Sequence, residues 1–87
     1  MPVDPPSWAI TCSRIGGRVR ARRMYQNLTQ EKLRELTGIS VDTIGRIERG
    51  SHDPKVSQLH AIAQALEMEL ADLFSDEPDA KGGEPRP

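Results

Sequence analysis

Apolar residues gather into five stretches along this 87-residue chain, each at helical spacing and each set off by polar or turn-forming residues. From Ser7 onward, Trp8, Cys12, Ile15 and Val19 recur every three or four positions, which puts them on one stripe of a helix. Ser7 and Ser13 are both candidate N-caps. Gly16 and Gly17 each cost about 1 kcal/mol against alanine in a helix interior, so the pattern predicts a first helix that starts properly near Ser13 and runs to about Tyr25. Residues 1–12, with three prolines in the first six, read as an N-terminal arm that takes in at most the beginning of that helix. Thr29 then caps a short second helix, Gln30 to Thr37, with Leu33 and Leu36 as its apolar positions and Gly38 as its C-terminal stop. Ser40 caps a third, Val41 to Arg49, which ends at Gly50. After the turn at residues 51–54, a fourth helix carries Val56, Leu59, Ile62, Ala63 and Leu66 within about 120° of arc, the width of a core-facing stripe. Leu70, Leu73 and Phe74 predict a short fifth helix, and the acidic, Gly/Pro-rich residues 75–87 have no apolar period and read as a disordered tail.

The expected fold is therefore all-α, a compact five-helix bundle over residues 13–74. Composition agrees: 36% of residues are hydrophobic and only three are aromatic, which suits a core of Leu, Ile, Val and Ala. A domain this small buries a modest share of its unfolded surface, and a partner subunit would add stability. The terminal apolar group of Leu70, Leu73 and Phe74 exceeds what a short helix needs to seal its own core, so that end is the expected two-fold interface of a homodimer. One cysteine, Cys12, cannot form an internal disulfide. No apolar run approaches the roughly 18 residues of a membrane span and the N-terminus lacks the features of a signal peptide, so no membrane partner and a cytoplasmic location are expected.

The formal net charge of −1 hides an asymmetry. Residues 14–49 hold nine Lys/Arg against four Asp/Glu, whereas residues 50–87 hold three against eight. A basic half of this kind suits an anionic partner, although ordinary solvated helix faces give the same count. Arg18, Arg20, Arg22 and Arg23 in particular fit either phosphate proximity or a solvated face.

The third helix separates two kinds of residue. Val41, Asp42, Gly45, Arg46 and Arg49 share about 140° of arc, with Ser40, Ile44 and Ile47 on the other side. One side packs and the other offers a mixed polar surface. Following a short helix and the tight turn Gly38-Ile39-Ser40, such a helix can stand proud of its domain and enter a groove of DNA.

Leu28-Thr29-Gln30-Glu31, Gly38-Ile39-Ser40, Thr43-Ile44 and Arg46-Ile47-Glu48-Arg49-Gly50, followed by Pro54 and the helix of Ala63 and Leu66, resemble the phage-repressor-like (Cro/CI, XRE-type) helix-turn-helix family over roughly residues 15–74. The resemblance implies a lambda-repressor-like bundle whose second and third helices form the helix-turn-helix, a homodimer on a palindromic operator in double-stranded DNA, and a transcription regulator, most simply a repressor. It implies base-reading positions at Val41, Asp42, Thr43 and Arg46, and phosphate-contacting positions at Gln30, Ser40, Arg49 and Lys55. It also implies an internal ion pair between Arg23 and Glu48. Four residues depart from the family pattern. Arg34 stands where a small alanine is usual, Lys55 replaces a Ser/Thr cap, Glu67 takes a glycine position, and Gly45 lies inside the recognition helix. Gly45 fits close approach of the backbone to DNA, or no role at all.

Individual roles stay open at this level. Arg46 matches guanine O6 and N7 with its guanidinium fork, and Val41 suits a thymine methyl. Asp42 fits either a cytosine amino group or an i,i+4 pair with Arg46. Catalysis has little support: Ser51-His52-Asp53 are contiguous and splay apart, His52 and His60 lack a second ligand set, and no phosphate-binding glycine loop is present, so neither a metal nor another cofactor is expected. The main rival is an antitoxin-like module whose helix-turn-helix domain serves to bind a protein partner. The length suits a stand-alone regulator such as a restriction-modification controller, and equally one domain of a longer regulator.

Overall fold

The computed structural model describes residues 5–75; the first four residues of the expected arm and residues 76–87 of the expected tail lie outside the described residues. Four α-helices follow in order, α1 (Pro5–Tyr25), α2 (Gln30–Thr37), α3 (Val41–Arg49) and α4 (Val56–Ala65), and a 3₁₀ turn, Leu70–Phe74, closes the described chain. Among the described residues no helix is long and apolar enough to cross a membrane.

Two expectations require correction. Among the described residues the expected five-helix bundle has four α-helices, because Leu70–Phe74 is wound as a 3₁₀ turn. Asp72 N–H donates to the Glu69 carbonyl at 2.9 Å, the tighter i to i+3 spacing. Five residues are too few to recover the cost of nucleating an α-helix in isolation, and the core asks only that the turn deliver Leu73, which is fully buried. At the other end α1 starts at Pro5, well before Ser13. A proline is tolerated there because the first-turn N–H groups have no partner within the helix. Within α1, Thr11 Oγ1 donates to the Ser7 carbonyl at 3.2 Å.

The glycines that were expected to weaken α1 do not interrupt it. Gly16 is buried where α1 crosses the end of α3, and a Cβ added there would lie 2.1 Å from the Ile47 carbonyl oxygen and 2.8 Å from that of Glu48. Gly50 faces α1 from the other side. Its φ of +77° is left-handed, and a Cβ on it would lie 2.8 Å from Ser13 Cα. The two helices therefore approach closer than any side chain at these points allows. Gly17, next in sequence, faces open space.

Around this crossing Ile15, Val19, Leu33, Ile39, Ile44, Ile47, Leu59, Ile62, Ala63, Leu66 and Leu73 form one core, with Leu28, Ala65, Met68 and Leu70 packed against it. Leu36 and Val56, placed on core stripes by spacing alone, are half-exposed and exposed, as are Trp8 and Phe74. The C-terminal end of α4 is closed by side chains of α1. Arg22, itself buried, donates from Nε to the Leu66 carbonyl at 3.0 Å and from Nη2 to that of Glu67 at 3.3 Å, and Gln26 Nε2 adds a 2.9 Å bond to Leu66. Arg18 Nε reaches the Asp72 carbonyl at 2.6 Å. Glu67 takes the left-handed φ of 57°, at the position where the resemblance to phage repressors implies glycine.

The adjacent glycines yield substitutions of opposite sign. Gly17→Ala gains helix propensity in open space and should stabilise the domain by about 0.5–1 kcal/mol. Gly16→Ala drives a methyl into backbone that cannot yield and should destabilise it by about 1–3 kcal/mol or more. Thermal unfolding of the two variants measures both; a Gly16→Ala protein as stable as Gly17→Ala would contradict the close crossing.

A candidate nucleic-acid interface on α2 and α3

Caps set the two helices of the turn. Thr29 Oγ1 accepts from Lys32 N–H at 2.9 Å at the start of α2, and Gly38, at φ 79°, ends that helix with its N–H on the Arg34 carbonyl at 2.8 Å. Ser40 Oγ accepts from Thr43 N–H at 3.1 Å and donates to Thr43 Oγ1 at 3.0 Å, so α3 starts with its first turn tied. These residues turn the chain sharply between two rods.

Ile44, Ile47 and Glu48 face inward from α3 and are buried. Asp42, Arg46 and Arg49 are exposed on the other face, and Val41 and Thr43 are half-buried at the first turn. Arg46 Nη2 lies 3.1 Å from Asp42 Oδ2 across one helical turn, an exposed pair. Lys55, exposed, is the N-cap residue of α4, where its backbone N–H donates to Gln58 Oε1 at 3.0 Å. A lysine has no acceptor to offer, so its cation stays outside. Arg34 bonds Glu31 at 2.6 Å from Nε, which holds its guanidinium in the charged form on the surface of α2.

Beneath this surface Arg23 and Glu48 meet in a two-pronged bond, Nε to Oε2 at 2.7 Å and Nη2 to Oε1 at 3.0 Å, with side chains only 11% and 4% exposed. The hydrogen bond to Glu48 raises the Arg23 pKa beyond the ordinary arginine value; the carboxylate's charge adds to this and burial opposes it. Arg23 also donates to the Leu28 carbonyl at 2.7 Å, and Gln30 Nε2 donates to Glu48 Oε1 at 3.0 Å. The pair thus extends into a network that joins α1, the α1–α2 linker, α2 and α3.

The candidate residues do not all lie free on the surface. Ser40, Asp42, Arg46, Arg49 and Lys55 are each exposed, whereas Gln30 is partly drawn in by Glu48. Of the α1 arginines, Arg18, Arg22 and Arg23 donate to groups of the fold itself, and Arg20 is exposed. Sequence reasoning missed the first two as helix-end caps and missed Gln26 altogether. The signal for Arg22 and Gln26 was present in their spacing from Val19, which continues the buried stripe of α1 one turn further. Elsewhere an open groove of about 300 Å³ is lined by Trp8, Ala9, Cys12, Gly50, Ser51, His52 and Asp53. Burial, with a smaller contribution from Asp53, pushes the Cys12 thiol up and keeps it protonated. Among the described residues no three His, Cys, Asp or Glu gather as a metal site.

A capped pair of helices whose second member is packed on one side and polar on the other is a helix-turn-helix domain. The family model described as "Helix-turn-helix domain" matches residues 14–73, and the chain belongs to that family. It is 35% identical over 65 residues to an HTH-type transcriptional regulator of Sinorhizobium fredii, covering 75% of this chain and 46% of that protein. It is 33% identical over 63 residues to the immunity repressor of Bacillus phage phi105, covering 72% of this chain and 44% of the repressor. Among solved structures, the restriction-modification controller protein C.AhdI from Aeromonas hydrophila superposes with a TM-score of 0.70 at 32% identity, over 72% of this chain and 96% of that one. The chain spans about half the length of the Sinorhizobium and Rhizobium relatives it matches, 43% to 50%.

Glu48→Ala would leave the Arg23 guanidinium buried without its carboxylate, at a cost of about 3–5 kcal/mol. We expect the midpoint of thermal unfolding to fall by more than about 10 °C. Glu48→Gln keeps an acceptor and should fall less. A midpoint within a degree or two of the parent for Glu48→Ala would mean that the pair carries no structural weight.

Proposed function

We propose that this chain binds double-stranded DNA sequence-specifically by inserting α3 into the major groove, and that it represses transcription from an operator of two inverted half-sites as a homodimer. The observation that carries this reading is the outward face of α3, where Asp42 and Arg46 form an exposed ion pair on a helix whose other face is spent on the core. Arg46 reads guanine, with Asp42 beside it; Val41 and Thr43 meet neighbouring base edges from the first turn. Gln30, Ser40, Arg49 and Lys55 hold the sugar-phosphate backbone on either side. Likeness to a phage immunity repressor and to a restriction-modification controller supports the regulatory role.

The homodimer rests on less apolar surface than the sequence implied. Leu73 is sealed in the core and Leu70 packs against it, which leaves Phe74, 51% exposed, as the apolar contribution of the last turn. Half-sites of a two-fold dimer would lie about 34 Å apart, or roughly 10 base pairs.

Arg46→Ala and Lys55→Ala should fail in different ways. Loss of a base reader costs about 1–3 kcal/mol on the best site and relaxes preference at one base pair per half-site. Loss of a phosphate contact weakens every sequence alike and flattens the dependence of log K on log salt by about one unit per site. Binding to a randomised duplex library at several salt concentrations separates the two. An Arg46→Ala protein that binds every sequence equally more weakly, with an unchanged preference profile, would make Arg46 a backbone clamp and transfer base reading to Val41, Asp42 and Thr43, and a parent protein with no sequence preference would end the reading.

A further inference from the structure

Gly45 lies on the outward side of α3 by its angular position, yet it is buried. What covers it is polar. A Cβ built on Gly45 would stand 3.2 Å from Arg49 Nη1, 4.0 Å from Arg49 Cζ and 3.9 Å from Gln30 Nε2. Side chains on a helix lean toward its N-terminus, so the patch that Arg49 covers is the one over residue 45, a turn before its own Cα. With no Cβ beneath it, the guanidinium folds back along α3, so that Arg49 Nη1 and Gln30 Nε2, from the start of α2, both lie within 4 Å of the position a Cβ would take.

We propose that Gly45 is a positioning residue for phosphate binding: the missing side chain gives Arg49 room to converge with Gln30 on one phosphate of the DNA backbone. The inference rests on the docking of α3 proposed above. Gln30 Nε2 has two hydrogens and spends one on Glu48 Oε1, an acceptor that fixes which end of the amide faces inward. The other hydrogen and the guanidinium N–H groups are donors on nitrogens that lie 3.9 and 3.2 Å from the same point above Gly45. Arginine supplies the charge and the amide supplies direction. In a mid-helix position glycine lowers stability relative to alanine, so the open space above it comes at a cost to the fold.

Replacing Gly45 by alanine turns this into a measurement. The nearest atoms are the end of a flexible arginine, which gives way easily, so Gly45→Ala should fold with a melting point equal to the parent's or a few degrees higher. The displaced guanidinium should lose its phosphate. Affinity should drop for all duplexes alike, by up to about fivefold near 0.15 M salt, and the salt slope should shrink by up to about one unit per site, the release of one counterion. The decisive experiment is a double-mutant cycle with the full chain, comparing the parent, Gly45→Ala, Arg49→Ala and the double variant on a duplex selected from a random library and on an unrelated duplex of equal length. If Gly45 acts through Arg49, the double variant binds no worse than Arg49→Ala alone. Additive losses would assign Gly45 to direct approach of its backbone to DNA and overturn the proposal, as would unchanged binding by Gly45→Ala or a lowered melting point. Arg46→Ala in the same series isolates the underlying reading. If it too binds every duplex as the parent does, α3 does not dock and both inferences fall; if it loses preference while Gly45→Ala behaves as the parent, only the present one does.

Discussion

Burying a carboxylate costs several kcal/mol unless its lone pairs find donors, and Glu48 meets that condition with groups from two other helices. Arg23 approaches from α1 with two N–H groups, Gln30 from α2 with one, and the remaining reach of Arg23 closes on the Leu28 carbonyl in the linker. Because guanidinium and carboxylate are both planar, two parallel bonds fix direction as well as distance. The outward face of α3 is therefore aimed by the inward one. A rotation of α3 that moved Arg46 would also have to break this network.

The same helix crossing depends on close approach. With Gly16 under the last turn of α3 and Gly50 against Ser13, the backbones of α1 and α3 meet where any other residue would separate them. The buried ion pair and the bare glycines act together: the glycines bring the helices near enough for Arg23 to reach, and the pair holds their rotation. Ile44 and Ile47 fill the remaining space.

Charge is divided between structure and surface in a way that net charge conceals. Arg18 and Arg22 close carbonyl ends of the 3₁₀ turn and of α4, and Arg23 neutralises Glu48. These cations let a domain with little apolar area end two elements without glycine stops. Arg46, Arg49 and Lys55 keep their charge outside, on the side of α3 and the start of α4. The basic half of the chain is thus partly an internal scaffold and partly a surface for an anion.

Much of the helix-turn-helix is set by local chemistry. Thr29, Gly38, Ser40 and Gly50 mark the ends of α2 and α3 because a hydroxyl before a helix and a left-handed glycine after it act within one turn of chain, where sequence order and spatial neighbourhood coincide. The packed side of α3 was likewise legible from the spacing of Ile44 and Ile47. What depended on tertiary structure was every feature whose partner lies far along the chain. Leu36 and Val56 fit apolar stripes and still face water, because a stripe gives a direction and not a neighbour. The last apolar group looked like a fifth helix, but α1 and α4 leave room for one buried leucine, and five residues cannot hold an α-helix alone. Gly16 and Gly17 are indistinguishable by propensity; at one a Cβ would run into the backbone of α3 and at the other it would face open space, since propensity describes a residue's own backbone and not the helix that crosses it.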